Sequence, residues 1–237
     1  MQDALHRLLE VQDHDTALDQ LRHRRDHHPL LQELGVVEAQ LSEIGVRRRE
    51  VQATLTELAT RQSELEGQAD AAGQRVATIE KRLYSGEVAA ARDLQAMSEE
   101  ADHLKARRRE LEDHVLEVME EREPVDAVAA GLDGEIASLE ARAAELRAAL
   151  NRAVAEIEEE ITTQLAARDV SGIPEDLLAR YERLRQRLGG TGIARLEHGT
   201  CQGCHLTLSA TELDQIRRAA PDTVVTCEQC GRILVRD

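Results

Sequence analysis

Aromatic side chains are almost missing from this chain, whose 237 residues include no Phe, no Trp and only two Tyr. Aromatic rings supply much of the buried area of a globular interior, so their scarcity argues against one compact core of this size. Charged residues instead make up 32% of the chain, and Ala, Glu, Leu and Arg dominate it. That composition is typical of long paired helices.

Export and membrane signals are also lacking. Residues 1–10 have neither the basic nor the apolar region of a signal peptide, and no apolar run approaches the length that crosses a membrane. We therefore predict a cytoplasmic protein with no membrane partner. Because thiols stay reduced there, closely spaced cysteines favour a metal site over a disulfide.

Positive charge is outnumbered, because 46 Asp and Glu stand against 30 Lys and Arg, which gives a formal net charge of −16. Arginine supplies nearly all of the positive charge, and the only lysines are Lys81 and Lys105. A chain with this balance repels the phosphate backbone of nucleic acids.

Catalytic motifs are absent as well. There is no Ser/His/Asp set, and the glycines at 189, 190 and 192 are not followed by the Lys-Ser or Lys-Thr of a phosphate-binding loop. We predict a protein that is not an enzyme and has no small-molecule substrate.

Two long stretches carry seam residues at alternating intervals of three and four, which is the spacing of a coiled-coil seam. The first continues for 50 residues without a slip, a helix of roughly 75 Å. Its seam positions are Leu34, Val37, Leu41, Ile44, Arg48, Val51, Leu55, Leu58, Gln62, Leu65, Ala69, Ala72, Val76, Ile79 and Leu83. The second seam comprises Leu94, Met97, Ala101, Leu104, Arg108, Leu111, Val115, Val118, Arg122, Val125, Ala129, Leu132, Ile136, Leu139, Ala143, Leu146, Leu150, Ala153 and Ile157.

The turn between the seams predicts that they pair within one chain. If the chain folds back at Tyr84-Ser85-Gly86, Arg48 faces Ala129 and Arg108 faces Ala69, so each large side chain lies opposite a small one. This pairing favours an antiparallel hairpin. Parallel pairing of separate long helices is the alternative, but it leaves the turn unexplained.

The fold class predicted is mainly α: a long, kinked antiparallel coiled-coil hairpin with a small C-terminal β-rich zinc ribbon. The kink is expected within 120–135, where Pro124 removes a helix hydrogen bond and Gly131 and Gly134 lie close to the level of Gly45 on the other arm. The hairpin should occupy 1–172, divided into a short helix (1–28), a long arm (30–84), a turn (84–91) and a return arm (92–168). A packing helix and glycine hinge (173–192) then lead into the ribbon (193–237).

Four cysteines near the C-terminus carry the chemistry. Cys201, Cys204, Cys227 and Cys230 form two Cys-x-x-Cys pairs separated by 22 residues, and four thiolates can surround one structural Zn²⁺. Four protein ligands leave no open position, so we expect a structural and not a catalytic metal, one per chain. Two redox-active dithiols are the alternative, but the βαβ context of such motifs is lacking.

Local structure around the cysteines is predicted as strands over 193–198, 206–209 and 233–235, with a short helix capped by Thr211. Gly203 and Gly231 are expected to take positive φ and to turn backbone N–H groups toward the sulfurs. His198 and His205 are alternative ligands, although four cysteines already complete the site.

Three features of the sequence carry a resemblance to a known family. They are the predicted hairpin, the segment Leu83-Tyr84-Ser85-Gly86 followed by Asp93-Leu94-Gln95, and the two cysteine pairs ending in Cys230-Gly231-Arg232-Ile233-Leu234. The chain resembles the bacterial coiled-coil proteins with a C-terminal C4-type zinc ribbon, over nearly its whole length. The resemblance implies a kinked hairpin, a zinc ribbon and no known enzymatic activity. It also implies a regulatory or adaptor role, with members that bind nucleic acid and members that bind protein partners, including transcription and flagellar components.

Protein binding is therefore the predicted function, and nucleic-acid binding through the ribbon is the alternative. The span 193–237 has five positive and six negative side chains and no aromatic side chain on which bases stack. The residues predicted to contact a partner or a phosphate backbone are Arg217, Arg218, Arg232 and Arg236.

Overall fold

The structure, a computed structural model, describes residues 1–86, 88, 90–220 and 222–236. Glu87 and Ala89 of the predicted turn, and Pro221 and Asp237 of the predicted ribbon, lie outside the described residues. The elements are α1 (Gln2–Asp26), α2 (Pro29–Leu83), α3 (Ala91–Ala167), α4 (Glu175–Arg187), β1 (Ile193–Glu197), β2 (Thr200–Cys201), α5 (Ala210–Arg218), β3 (Val225–Thr226) and β4 (Ile233–Arg236).

Across those described ranges, no helix is both long enough and apolar enough to cross a membrane. The chain divides into two compact units. Residues 33–146 form one, which we call the helical-pair unit. Residues 1–32 and 147–237 form the other, the ribbon-bearing unit. The division of the chain into domains made from the sequence stays a prediction.

The helical-pair unit buries a single apolar seam. Its buried residues all occupy positions of the two predicted seams, because side chains three and four residues apart share one helix face. They are Leu55, Ala69, Ala72 and Val76 from α2, and Ala101, Leu111, Val118, Ala129, Leu132, Ala143 and Leu146 from α3.

Ion pairs across this unit establish the antiparallel direction. As residue numbers rise along α2, the partners on α3 fall, from Arg48–Asp133 at 2.6 Å through Arg61–Glu121 at 3.0 Å to Glu80–Lys105 at 2.7 Å. The predicted hairpin is therefore confirmed.

Two of the three seam arginines, Arg48 and Arg108, extend past the small residues predicted to face them. Arg48 lines a cleft with Ala129, but its guanidinium turns outward to Asp133. Arg108 lies beside Gly73, one turn from the predicted Ala69, and donates to Glu112 at 2.7 Å. A long side chain extends along the seam until its charged end reaches water and a carboxylate.

Helix α3 continues through Pro124, which lies inside it. The bend predicted at this level stays a prediction. Helix α2 ends at Leu83, where the Ser85 hydroxyl donates to the Arg82 carbonyl at 2.9 Å and Gly86 has a φ of 76°. Glycine takes that left-handed conformation without steric cost.

The ribbon-bearing unit has its main core where α1 and α4 pack against one face of the sheet. Apolar residues of α1 recur every three or four positions and meet the stripe of α4, because both helices are amphipathic. The core consists of Ala4, Leu5, Leu8, Leu9, Val11, Ile173, Leu177, Tyr181, Leu184, Ile193, Ile233 and Val235. Farther along α1, Leu18 and Leu21 pack on Ile157 and Ile161 of α3.

The sheet has the order β2-β1-β4-β3. Strands β1 and β4 pair in parallel at its centre, and the two outer pairs are antiparallel. The strand predicted over 206–209 is wrong, because only Thr207 forms a bridge there, with Thr200. In this segment the Leu206 carbonyl accepts a hydrogen bond from the Cys201 N–H at 3.1 Å.

Candidate metal centre

The four cysteines lie together in a second, smaller apolar core of the ribbon-bearing unit. Cys201 ends β2 and Cys227 follows β3, and both are buried together with Ala194, Leu208, Ile216 and Leu234. Cys204 and Cys230 lie three residues further on and are half-buried. The four sulfurs all lie within 4.8 Å of one another, and those of Cys204 and Cys227 are 3.9 Å apart.

This spacing fits a zinc ion. Tetrahedral sulfurs at about 2.3 Å from Zn²⁺ are separated by about 3.8 Å, and all four cysteines are free thiols. A C4-type ribbon whose cysteines lie this close together is consistent with one structural Zn²⁺. Neither His198 nor His205 belongs to the cluster, and both are exposed.

Both cysteine turns use the same hydrogen bonds. His205 N–H donates to the Cys201 carbonyl at 2.8 Å, and Gly231 N–H donates to the Cys227 carbonyl at 2.7 Å. Cys201 N–H then donates to the Leu206 carbonyl, as Cys227 N–H does to the Arg232 carbonyl. The two turns are therefore equivalent position by position.

The predicted φ is confirmed for Gly231, at 78°, and is wrong for Gly203. The left-handed residue of the first turn is His205, with a φ of 57°, at the position equivalent to Gly231. Gly203 is needed for another reason, because a Cβ there would lie 2.5 Å from Arg232 Cδ and 2.9 Å from Ala194 Cβ. Close packing, and not backbone conformation, requires this glycine.

Burial and backbone donors act in opposite directions on the thiols. Burial raises the pKa of Cys201 and of Cys227. For Cys230, burial acts upward too, but hydrogen bonds from the backbone N–H and side chain of Arg232 outweigh it and lower the pKa. Two of the thiols thus resist ionisation on their own, and a divalent cation is what makes four adjacent thiolates favourable.

The contacts predicted for Arg217, Arg218, Arg232 and Arg236 stay a prediction, and two of these residues, Arg217 and Arg236, line one cleft beside α5. Arg232 donates to the carbonyls of Thr191 and Leu188 at 3.0 and 3.1 Å, just beyond α4. Arg236 donates to three carbonyls at the end of α5, those of Ile216, Ala219 and Ala220. On α5 itself, Arg217 and Arg218 are exposed, and Arg218 pairs with Asp214 at 2.8 Å.

The helix cap of α5 differs from the prediction. Ser209, and not Thr211, caps the helix, and it forms a capping box with Glu212. The pattern Ser-x-x-Glu at 209–212 is the sequence signature of such a box and was sufficient to locate it.

Two buried polar groups of α1 anchor the approach to the ribbon. Gln12 accepts a hydrogen bond from Gly192 N–H at 2.8 Å and donates to the Gly190 carbonyl at 2.9 Å. Asp15, 3% exposed, accepts hydrogen bonds from Nε and Nη2 of Arg168, and from the Tyr181 hydroxyl at 2.7 Å. No sequence motif marks either residue.

Two family profiles match this chain. The profile of the CT398-like coiled coil hairpin domain matches residues 11–189, and that of the C4-type zinc ribbon domain matches residues 200–234. A protein of Mycobacterium tuberculosis described as uncharacterised is 32% identical over 231 residues, covering 97% of this chain and 94% of the relative. Neither domain description names a catalytic function.

Solved structures share the fold. One from Mycobacterium smegmatis matches with a TM-score of 0.87 and 27% identity, covering 100% of this chain and 99% of that one. The structure of CT398 from Chlamydia trachomatis matches with a TM-score of 0.73 and 22% identity, covering 99% and 98% of the two chains. The latter likeness bears on the fold alone.

Proposed function

Because this chain belongs to the CT398-like coiled-coil hairpin family and ends in a C4-type zinc ribbon, we propose that it is a non-enzymatic, regulatory adaptor. In this proposal the ribbon binds a protein partner and the hairpin is the spacer that carries it. Cys201, Cys204, Cys227 and Cys230 each supply one thiolate to a single Zn²⁺. The protein works in the cytoplasm, where those thiols stay reduced.

The closed cysteine cluster carries this proposal. Four sulfurs within 4.8 Å of one another fill every position of a tetrahedral zinc ion. A metal held in this way has no position at which to activate water or polarise a substrate. Its contribution is to hold the turns of a small ribbon in place, and a ribbon so fixed is suited to recognition.

The hydrogen bonds of two ribbon arginines favour a protein partner over nucleic acid. Arg232 and Arg236 are occupied by carbonyls of their own chain, so they offer phosphate few free donors. The ribbon also has nearly balanced charge and no aromatic side chain. The ribbon therefore offers few free donors to phosphates and no aromatic ring on which bases stack.

Partner capture tests the proposal. The full chain, purified with zinc, is used as bait for proteins of its own organism, beside Cys201→Ser and the matched control Gln202→Ser, which changes the exposed neighbour. Partners retained by Gln202→Ser and lost by Cys201→Ser support the adaptor. An identical set from all three baits would show that the ribbon is not the binding element.

Nucleic-acid binding is the second candidate, and the exposure of Arg217 and Arg218 on α5 is the observation that favours it. Gel shift with RNA and DNA at about 0.05 M and 0.2 M salt decides it, since phosphate contacts weaken steeply with salt. Binding that falls at the higher salt and is reduced by Arg217→Gln supports this candidate. Absence of a shift at either salt excludes it.

A further inference from the structure

A cavity of the ribbon lies between α5 and the edge strand β3, and two of its lining residues, Thr226 and Glu228, flank Cys227 in the chain. Its volume is about 200 Å³. Side chains of α5 form one wall, and residues around β3 form the other. The lining residues are Glu212, Gln215, Ile216, Val224, Val225, Thr226 and Glu228.

Glu212 lines this cavity, and one of its carboxylate oxygens is unsatisfied. The residue is 6% exposed, and its Oε2 accepts the Ser209 N–H at 2.7 Å as part of the capping box. The other oxygen, Oε1, is buried and has no hydrogen-bond donor among the residues that the structure describes. Leaving a buried carboxylate oxygen without a donor is costly, and helix capping uses only the first oxygen.

The carboxylate is also charged. The backbone N–H of Ser209, then its side chain and, with a smaller effect, the neighbouring Glu228 side chain outweigh burial and lower the pKa of Glu212, so it is ionised at neutral pH. Glu228, which is exposed, adds a second carboxyl group to the same cavity. Two acidic groups around one small cavity favour a cationic occupant.

The remaining walls select among cations. Ile216, Val224 and Val225 are apolar and line the space beside the carboxylates. Divalent ions such as Mg²⁺ and Ca²⁺ require about six or more oxygen ligands, which such walls do not provide. A long basic side chain matches both features, because its methylene stem packs on apolar residues and its charged end donates to carboxylates.

We propose that the cavity between α5 and β3 receives an arginine or lysine side chain of the protein partner, with Glu212 Oε1 and Glu228 as acceptors. The inference rests on the proposed adaptor function and names the chemistry of the partner. The net charge of −16 supports it, because an acidic chain attracts a basic partner over distances beyond contact.

A titration followed by amide NMR tests the cavity directly. The zinc-loaded full chain is titrated with N-acetyl-arginine amide, and with the uncharged N-acetyl-citrulline amide of the same shape. The arginine compound is expected to shift amides of 212–216 and 224–228, and the citrulline compound is expected to leave them unmoved. Equal shifts with both, or none with the arginine compound, would overturn the proposal.

Two variants and a metal control sharpen the result. Glu212→Gln keeps the capping box, since glutamine serves equally at that position, and is expected to weaken arginine-amide binding about tenfold. Glu197→Gln removes the same charge from β1, outside the cavity, and is expected to leave binding unchanged. Identical binding by Glu212→Gln, or saturation of the same amides by MgCl₂ at lower concentration, would overturn the proposal.

Partner capture separates this proposal from the one on which it rests. Partners lost by both Cys201→Ser and Glu212→Gln support the cavity. If Cys201→Ser loses partners that Glu212→Gln retains, the cavity proposal fails and the adaptor stands. If neither variant loses any partner, the adaptor proposal itself fails.

Discussion

Buried side chains in the helical-pair unit are apolar throughout the described residues, whereas the ribbon-bearing unit buries Gln12, Asp15 and Glu212. The helical pair repeats one kind of layer, in which Ala, Leu or Val from one helix meets its equivalent on the other. The ribbon-bearing unit depends on contacts that occur once: the cysteine cluster, the Asp15 ion pairs and the Gln12 amide bonds.

The difference indicates where specificity resides. A repeated seam stabilises a long helical pair through many similar layers, so the loss of one layer leaves the others intact. A single buried polar group has no substitute, because its partners are left unpaired when it is removed. Contacts that occur once therefore determine the geometry of the ribbon-bearing unit. The proposed binding functions lie in the same unit.

Removing one cysteine should have the largest effect. Cys201→Ser replaces a buried thiolate, and a structural zinc contributes roughly 10–16 kcal/mol to the folding of small zinc domains. Native mass spectrometry should find about one zinc per wild-type chain and none in the variant. A zinc-bound variant, or a metal-free wild type purified under reducing conditions, would refute the metal centre.

Neutralising Asp15 should come next. Asp15→Asn leaves Arg168 and Arg185, whose side chains are 21% and 16% exposed, without their buried carboxylate. We expect a loss of about 3 kcal/mol in the free energy of unfolding, measured by urea denaturation at pH 7. The matched control is Asp19→Asn, since Asp19 also binds Arg185 but is 42% exposed, and it should cost below about 1 kcal/mol. Equal losses in the two variants would show that burial does not matter here.

Truncating one seam layer should cost less. Leu132→Ala removes a side chain that is 4% exposed in the helical pair, and we expect a loss of about 2 kcal/mol, at the lower end for a buried leucine. Leu116→Ala, on a side chain that is 57% exposed, should change stability by no more than about 0.5 kcal/mol. Thermal unfolding followed by circular dichroism compares them, and an Asp15→Asn loss smaller than that of Leu132→Ala would reverse the contrast between the units.

The smallest effect should be the change with pH in the contribution of Asp15 to the free energy of unfolding. Burial acts to raise the pKa of Asp15, but hydrogen bonds from Arg168 and Tyr181 outweigh it, so the folded pKa lies below the unfolded value. The carboxylate then stabilises the fold above about pH 4 and loses this contribution as the pH falls through the folded pKa. The stability difference between wild type and Asp15→Asn should therefore shrink from pH 6 to pH 3. A difference that stays constant or grows would contradict the assignment.

Periodicity and spacing predicted the helices and the metal site because each is encoded locally. An interval of three and four residues fixes which side chains share a face, so the buried residues of the helical pair were readable from the sequence. Two Cys-x-x-Cys pairs likewise specify four ligands without knowledge of the fold between them.

Contacts between distant segments were not readable. Asp15 meets Arg168 and Tyr181 across separations of 153 and 166 residues, and an isolated aspartate on a helix has the same pattern as a solvated one. The parallel pairing of β1 with β4 is also hidden, because strands of five and four residues have too little periodicity to reveal a partner. His205 escaped notice because glycine is the usual residue at positive φ.

Hydrogen exchange with and without zinc tests the central contrast most directly. The zinc-loaded chain and the same sample after chelation are compared peptide by peptide by mass spectrometry. We predict that protection is lost around both cysteine turns, over 199–208 and 225–232, and is unchanged over 34–146. Equal loss of protection in the helical-pair unit, or unchanged protection around the cysteines, would contradict a ribbon whose fold depends on metal beside helices whose fold does not.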